Sequence, residues 1–457
     1  MNQVNRKPRV LVTTVPSWSS RGGSDTMSSL MKDYGAENVA ALYIRADKSD
    51  SLSASKYFHI FENAVIKSIF CRMIKTGESF RPEDVVIDEC TSEVAAEKAT
   101  YRKASKYNRS LLMLFREIMW KLGKWKSPEM VSFLDDFNPE VLFCPIEGYI
   151  HFNSINEYII KKYHPRVLGI IWDDNFTYKQ EPYNFWHQVH RFWLRRSVKR
   201  MIKKCDTLFA LSPKMKEEVD KEFGIQSELL TKPIFNKGTF TPYEVSEPIR
   251  MLYTGKLIIG RDKTVAEVVD AIREINKDGQ KIVLDIYTNT ELTPDMEARI
   301  NVPGSCNLHA PIPQSEVFKK QAEADVLLFA ESLSDKSKTA RLSFSTKLTD
   351  YFSAGKCVWG VGNSDLGPID YLRTEDAGLV STDKESILNT LKLISDNKQT
   401  ISQYAQKAYD CGVNNHNKDI IIMKLYDAIT LNGGGNFVVL VMLYNKQRQV
   451  AEYACAA

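Results

Sequence analysis

Short apolar runs alternate with longer amphipathic stretches over most of the chain, as expected for strands buried on both faces with helices between them. In the first half these runs predict strands at Arg9–Val15, Asn38–Tyr43, Val85–Ile87, Val141–Cys144, Val167–Ile171 and Thr207–Leu211. Helical periodicity falls between them, around Leu111–Leu122, Ile155–Lys162 and Pro213–Glu222. The loop after the first strand contains Gly22 and Gly23 and leads into a helix, the order that opens a Rossmann-like domain. Pro233–Pro248 loses the periodicity and holds three prolines, which marks a linker. The pattern then restarts with strands at Met251–Thr254, Lys281–Tyr287, Ala324–Phe329 and Val358–Val361. Helices are predicted from a capping-box spacing at Thr264 and Glu267, from Ser315, from Ser345 and over Lys384–Ser395. The expected fold class is α/β, with two Rossmann-like, doubly wound domains facing a cleft. Residues 1–240 form the first domain and 241–416 the second. A helix over 417–431 is available to pack back on the first, and the tail 432–457 has no assigned role. Its apolar run, Phe437–Leu443, is too short to span a bilayer.

Composition narrows the function classes. With 61 basic and 57 acidic residues, the chain as a whole is no polycation, and nucleic acid is not an expected partner. The eight cysteines are scattered without a C-x-x-C pair, which fits a reducing compartment and offers neither a zinc site nor a disulfide framework. The polar N-terminus leads straight into a strand, so the protein is expected in the cytoplasm, or peripherally on the cytosolic face of a membrane.

The strongest chemical signal lies in Arg341–Gly355. Ser345, Thr346 and Lys347 fall at a helix start, where unpaired N–H groups and partial positive charge favour phosphate. Asp350 sits about one turn further along the same face, placed to accept hydrogen bonds from a ribose diol. Phosphate at one end and ribose at the other describe a nucleotide.

Several segments then carry a family resemblance. In the second half these are Tyr253–Leu257 with Gly260 and Arg261, Ala324–Glu331, and Ser343–Gly355; in the first half, Trp120–Trp125, Phe137–Val141 and Trp172–Asn175. Together they resemble the GT-B glycosyltransferases, and more narrowly the retaining glycosyltransferase family four of capsule and lipopolysaccharide synthesis. The resemblance implies a nucleotide-diphosphate sugar as donor, a glycan or lipid-linked acceptor, no cofactor and no metal. It assigns the donor diphosphate to Lys256 and Arg261, assisted by Ser345, Thr346 and Lys347, and the ribose to Asp350. The family's Glu-x7-Glu pair is incomplete, because its first position falls on Leu342; Glu331 or Arg341 is the available substitute at the sugar end. Asp173 and Asp174 follow a strand and either face the cleft, with a catalytic or acceptor role, or cap the next helix. Glu331 is a further catalytic candidate, and Gly22 and Gly23 belong to an acceptor-side loop. His59 and His151 are read as structural histidines.

Pro182–Cys205 contains no acidic residue and interleaves Arg195, Arg196, Lys199 and Arg200 with aromatic and aliphatic side chains. Such a segment reads as a binder of anionic membrane surface, or as a core helix with a solvated basic face. The rival functions are a sugar-nucleotide epimerase on the same fold and a catalytically silent scaffold subunit that binds sugar nucleotides.

Overall fold

The computed structural model describes residues 6–18, 26–45, 47–85, 109–179, 185–234, 239–334 and 341–430. Gly22, Gly23, most of the expected strand Val85–Ile87 and the tail 432–457 lie outside them.

The first sheet is built from β1 (Val10–Thr14), β2 (Val39–Tyr43), β3 (Lys56–Ile60), β4 (Gly77–Phe80), β5 (Val141–Pro145), β6 (Arg166–Ile171), β7 (Thr207–Ala210) and β8 (Glu228–Leu229). Its order is β4-β3-β2-β1-β5-β6-β7-β8, and only β4 runs antiparallel to its neighbour. The second sheet contains β9 (Ile249–Thr254), β10 (Ile282–Tyr287), β11 (Cys306–His309), β12 (Val326–Ala330), β13 (Cys357–Val361) and β14 (Leu379–Ser381). It is parallel throughout, in the order β11-β10-β9-β12-β13-β14. In both sheets the central strands are apolar because helices cover both faces: β1, β2, β5, β12 and β13 are buried along their whole length. Strand order reverses between β1 and β5 and between β9 and β12. These switch points open crevices at the C-terminal strand ends, where ligands bind in such sheets.

The sequence pattern missed β3, β4, β8, β11 and β14. β11 and β14 are short edge or near-edge strands, and β11 has one fully buried residue, so their period is weak. The helix expected to begin at Thr264 instead begins at Arg261, behind Gly260 at φ 82°. Thr264 is no cap: its hydroxyl donates back to the Gly260 carbonyl (3.3 Å) and accepts from the Leu333 N–H (3.2 Å). The correction brings Arg261 to the first turn of the helix.

The helix Lys418–Thr430 returns to the first sheet. Lys418 pairs with Asp33 at 2.6 Å, Lys424 with Glu228 at 3.3 Å, and the Tyr426 and Tyr34 rings meet edge to face at 5.0 Å. No helix among the described residues is long and apolar enough to cross a membrane.

Candidate functional site

At the C-terminal edge of the second sheet, the loop Gly255–Gly260 and the helix start at Thr346 converge. Tyr253, at the end of β9, donates its hydroxyl to the Lys256 carbonyl (2.9 Å), and the Leu257 N–H donates to Thr290 Oγ1 (3.0 Å), which fixes the loop. Ile259 holds φ 58°, a left-handed conformation costing a β-branched residue on the order of 1–3 kcal/mol. Strain of that kind persists where the surroundings enforce a particular loop shape. Gly260 is then required, since a Cβ there would sit 2.7 Å from Ser332 Oγ.

Arg261, at the first position of its helix, makes a two-pronged pair with Glu331 at the end of β12, at 3.0 and 2.6 Å. Burial works against that guanidinium's charge, but the Glu331 carboxylate outweighs it and raises its pKa further. Lys347 lies against Gly255, where a Cβ would overlap its ammonium, and over the Tyr253 ring at 4.9 Å. Burial and then the Arg261 charge push its pKa down to about 8. Ser345 occupies the N-cap position without using its hydroxyl as a cap, so the N–H groups of Thr346 and Lys347 remain available. Lys256 is exposed on the loop. Two helix N-termini, Arg261 and Lys347 thus meet at one place, which is suited to an anion of several charges.

Asp350 is one turn further along and already holds a partner. Lys232, just past β8, donates to Asp350 Oδ1 at 2.8 Å with its own side chain only 5% exposed. No local pattern pointed to Lys232, which reaches Asp350 from just past the last strand of the first sheet.

Residues 341–343 bridge the two halves. Arg341 pairs with Asp174 (3.1 Å) and Glu218 (2.7 Å), and Ser343 donates to Asp173 (2.6 Å). Leu342, between them, is fully buried in the apolar cluster of the first sheet with Leu11, Ile146 and Phe176. The position where the resembled family places a sugar-facing glutamate is therefore a hydrophobic peg in the opposite half. Neither suggested substitute is free, since Glu331 is held by Arg261 and Arg341 by two carboxylates. Beside this bridge, Lys179, Lys214, Glu218, Arg341 and Asp365 line a cavity of about 430 Å³.

Asp173 and Asp174 have different surroundings. Asp174 is fully buried, accepts from the Thr177 N–H (2.9 Å) and hydroxyl (2.5 Å), and pairs with Arg191 and Arg341. It holds the bridge together and leaves little of its carboxylate for a substrate. Asp173 is exposed, and its carboxylate accepts from the Ser343 hydroxyl. Desolvation raises its pKa, the Ser343 hydrogen bond works to lower it, and the neighbouring Asp174 adds to the rise. Sequence reasoning missed Glu147, two residues past β5. It is 8% exposed, and burial followed by the Asp173 charge pushes it up to about 8. Asn153 grips its backbone on both sides (3.2 and 3.1 Å). A carboxylate just beyond the C-terminal end of a buried strand was the available signal, the same one that singled out Asp173.

The two histidines are packed in. His59 stacks on Tyr43 at 4.6 Å, and burial and then Lys48 lower it to about 3. His151 stacks on Trp120 at 4.4 Å and shares a hydrogen bond with Glu117 at 2.9 Å. On the basic helix, Arg195 turns to Glu222 and the Phe176 carbonyl and Arg200 to Glu157 (3.0 Å), so two of the four expected membrane cations face protein carboxylates. Arg196 rests over the Phe192 ring at 4.5 Å, and Lys199 is exposed. Among the described residues, no group of three or more His, Cys, Asp or Glu is gathered as a metal site.

No protein-family model matches the sequence, and no curated protein matches it. Solved structures do. HepE from Anabaena in complex with UDP aligns over 92% of this chain and 99% of its own, with a TM-score of 0.57 at 8% identity. Sucrose-phosphate synthase from Thermosynechococcus elongatus aligns over 92% and 97%, with a TM-score of 0.59 at 12% identity. TarM aligns over 92% and 98%, with a TM-score of 0.57 at 10% identity. The chain has the GT-B fold. At these identities the likeness establishes architecture alone, so function must be argued from the site.

Proposed function

We propose that this GT-B chain is a glycosyltransferase that moves a sugar from a nucleoside-diphosphate donor to a glycan or lipid-linked acceptor, with retention of configuration. Residues 241–416 carry the donor, while 1–240 with the returning helix 417–431 carry the acceptor. The observation that carries the reading is the meeting of Arg261, Lys347 and two helix N-termini at the switch-point edge of the second sheet, with Asp350 one turn away. Arg261 and Lys256 neutralise the diphosphate, Lys347 and the first N–H groups at Ser345 and Thr346 share it, and Asp350 accepts from ribose. Fixed cations aimed at developing charge stabilise the departing diphosphate, the task a metal performs elsewhere. The bond from the anomeric carbon to the diphosphate breaks, the acceptor oxygen bonds to that carbon on the same face, and the acceptor proton passes to the leaving phosphate oxygen.

Asp173 and Glu147 lie on the acceptor side and contact the incoming hydroxyl. Asp174 acts through the Arg341 bridge, and Glu331 by orienting Arg261. A role in polysaccharide synthesis, on donors made in the cytoplasm, fits an acceptor presented at the cytosolic membrane face.

Binding of UDP-, GDP-, ADP- and CMP-sugars is to be measured by ligand-observed NMR, followed by release of nucleoside diphosphate with wild type and Asp350→Ala. One donor is expected to bind and turn over in the wild type, and to do so more weakly in Asp350→Ala. Binding without turnover for any donor would leave a silent scaffold. A changed sugar still attached to its nucleotide would reveal an epimerase.

A further inference from the structure

The helix Arg109–Leu122 is built inside out. Leu111, Phe115, Ile118 and Leu122 recur at helical spacing on one face, and that face points outward: Phe115, Ile118 and Leu122 are 56%, 54% and 53% exposed. Two of its charged residues, Arg116 and Glu117, point inward. Arg116 pairs with Glu62, and Glu117 bonds to His151 and, through its side chain, to His190 of the neighbouring helix Phe185–Ile202. That second helix packs along the first and exposes Phe185, Trp186, Phe192 and Trp193, each between 42% and 70%. Two residues past the helix, Lys124 donates to the Arg72 carbonyl (3.3 Å), which ties the loop of Phe70 and Met73 to the C-terminal end of the helix; both residues are more than 80% exposed.

Exposed apolar side chains on this scale mark an interaction surface, and the surrounding charge says which kind. Across residues 62–74, 109–124 and 185–204 the only carboxylates are Glu62 and Glu117, and both are turned inward and paired. The exposed ionic groups of these described segments are all cations, among them Lys67, Arg72, Lys121, Arg196, Lys199 and Lys203. Outward aromatics among exposed side chains that, in these three described segments, are cationic wherever they are charged fit the interface of a bilayer that contains anionic lipid.

We propose that the outward face of helices 109–122 and 185–202, with the Phe70–Met73 loop, inserts into an anionic phospholipid surface. Apolar side chains supply the anchor, and Arg196 and Lys199 supply attraction. This differs from an electrostatic contact through Arg195–Arg200 alone, because Arg195 and Arg200 are held by protein carboxylates. The inference stands apart from the donor site.

The test is flotation of the full chain with vesicles of phosphatidylcholine containing roughly 30% phosphatidylglycerol, against pure phosphatidylcholine, at about 0.1 M and 0.5 M salt. The wild type is expected to float with the anionic vesicles and to keep a measurable bound fraction at the higher salt. Phe115→Ser with Trp193→Ser should lower the bound fraction about tenfold or more at both salts, with an unchanged melting temperature and unchanged nucleotide-sugar binding. Arg196→Gln with Lys199→Gln should lower it chiefly at low salt. Wild-type protein that stays in solution with both vesicles, or a Phe115/Trp193 variant that floats like wild type, overturns the proposal. So does a dimer by size exclusion that the same variant converts to monomer without any flotation, since a second copy would then be the occupant. Failure here leaves glycosyl transfer untouched, and loss of nucleotide-sugar binding in the variant would instead report misfolding.

Discussion

The ionisable groups at the edge of the second sheet are Lys256, Arg261 and Lys347, with two carboxylates, Glu331 spent on Arg261 and Asp350 on Lys232. At the facing edge of the first sheet, Glu147, Asp173 and Asp174 lie with Arg45, and desolvation and mutual repulsion raise the first two although Arg45 pulls Glu147 down. Both edges are C-terminal ends of parallel strands at a switch point, so topology alone does not separate them. The chemistry does. A cationic edge suits an anion such as the diphosphate proposed as leaving group, whereas carboxyls raised by desolvation and repulsion suit the hydroxyls of the proposed acceptor. The bridge at Arg341, Leu342 and Ser343 joins the two while turning its own polar groups toward the acidic side.

The largest break in that contrast is expected from Arg261→Ala, which should weaken binding of the preferred nucleotide sugar by about 10²–10³-fold, as read by calorimetry. It also strands Glu331, a carboxylate only 6% exposed, so the melting temperature should fall as well. Arg261→Ala combined with Glu331→Gln removes the stranded charge; stability should return while affinity does not. Affinity that recovers together with stability would mean that Arg261 never touched the ligand.

The acidic edge is probed by stability against pH. Glu147 titrates at an ordinary 4.5 when unfolded and at about 8 in the fold. Between those values the native state keeps a proton that the unfolded state has lost. Its contribution is therefore complete below pH 4.5 and disappears as pH rises through 8, a swing on the order of 5 kcal/mol. Glu147→Gln should flatten the urea-derived stability across that window and exceed wild type at its alkaline end. Parallel profiles for the two proteins would show that Glu147 is ordinarily charged, and the acidic edge would lose its distinction.

The cationic edge was far more legible in the sequence than the acidic one, for a reason of chain distance. Ser345, Lys347 and Asp350 sit within two turns of one helix, so their spacing alone puts them together. Arg261 follows its strand by one short loop. Glu147 and Asp173 come from different strands, Lys232 and Asp350 lie 118 positions apart, and Arg341 and Asp174 lie 167 apart. No local period reports such pairs. The fold was readable because buried parallel strands form unbroken apolar runs; β11 and β14, at or near the edge, do not. Helix Arg109–Leu122 shows the opposite limit. Its period was plain, yet only the inward pairs of Arg116 and Glu117 reveal that the apolar stripe faces out.

A smaller effect should follow at the point where the two sheets share a charge pair. Asp350→Ala leaves the Lys232 ammonium buried and unpaired, at a cost of about 2–3 kcal/mol in urea unfolding. Lys232→Met with Asp350→Leu should recover that stability. If Asp350 holds ribose, either variant should weaken binding of a nucleoside diphosphate roughly tenfold while leaving inorganic pyrophosphate unaffected. Equal losses for both ligands would move Asp350 from ribose to phosphate.

The finest distinction is the pH response of the cationic edge itself. Lys347 is pushed down to about 8, first by burial and then by Arg261, so the free protein loses this ammonium within a range where an ordinary lysine stays charged. A bound diphosphate favours the ammonium and raises that value. Below pH 8, binding takes up no proton at Lys347. Above it, each binding event must restore the proton, and the apparent Kd should climb by up to about tenfold per pH unit until the bound-state value is reached. Calorimetry in two buffers of different ionisation enthalpy should detect that uptake near pH 9 and none at pH 7. Lys347→Arg keeps its charge throughout and should remove both the slope and the uptake, while Glu147→Gln, across the cleft, should leave them in place. A slope that survives in Lys347→Arg but vanishes in Glu147→Gln would assign the titration to the acidic edge and reverse the division of labour between the two sheets.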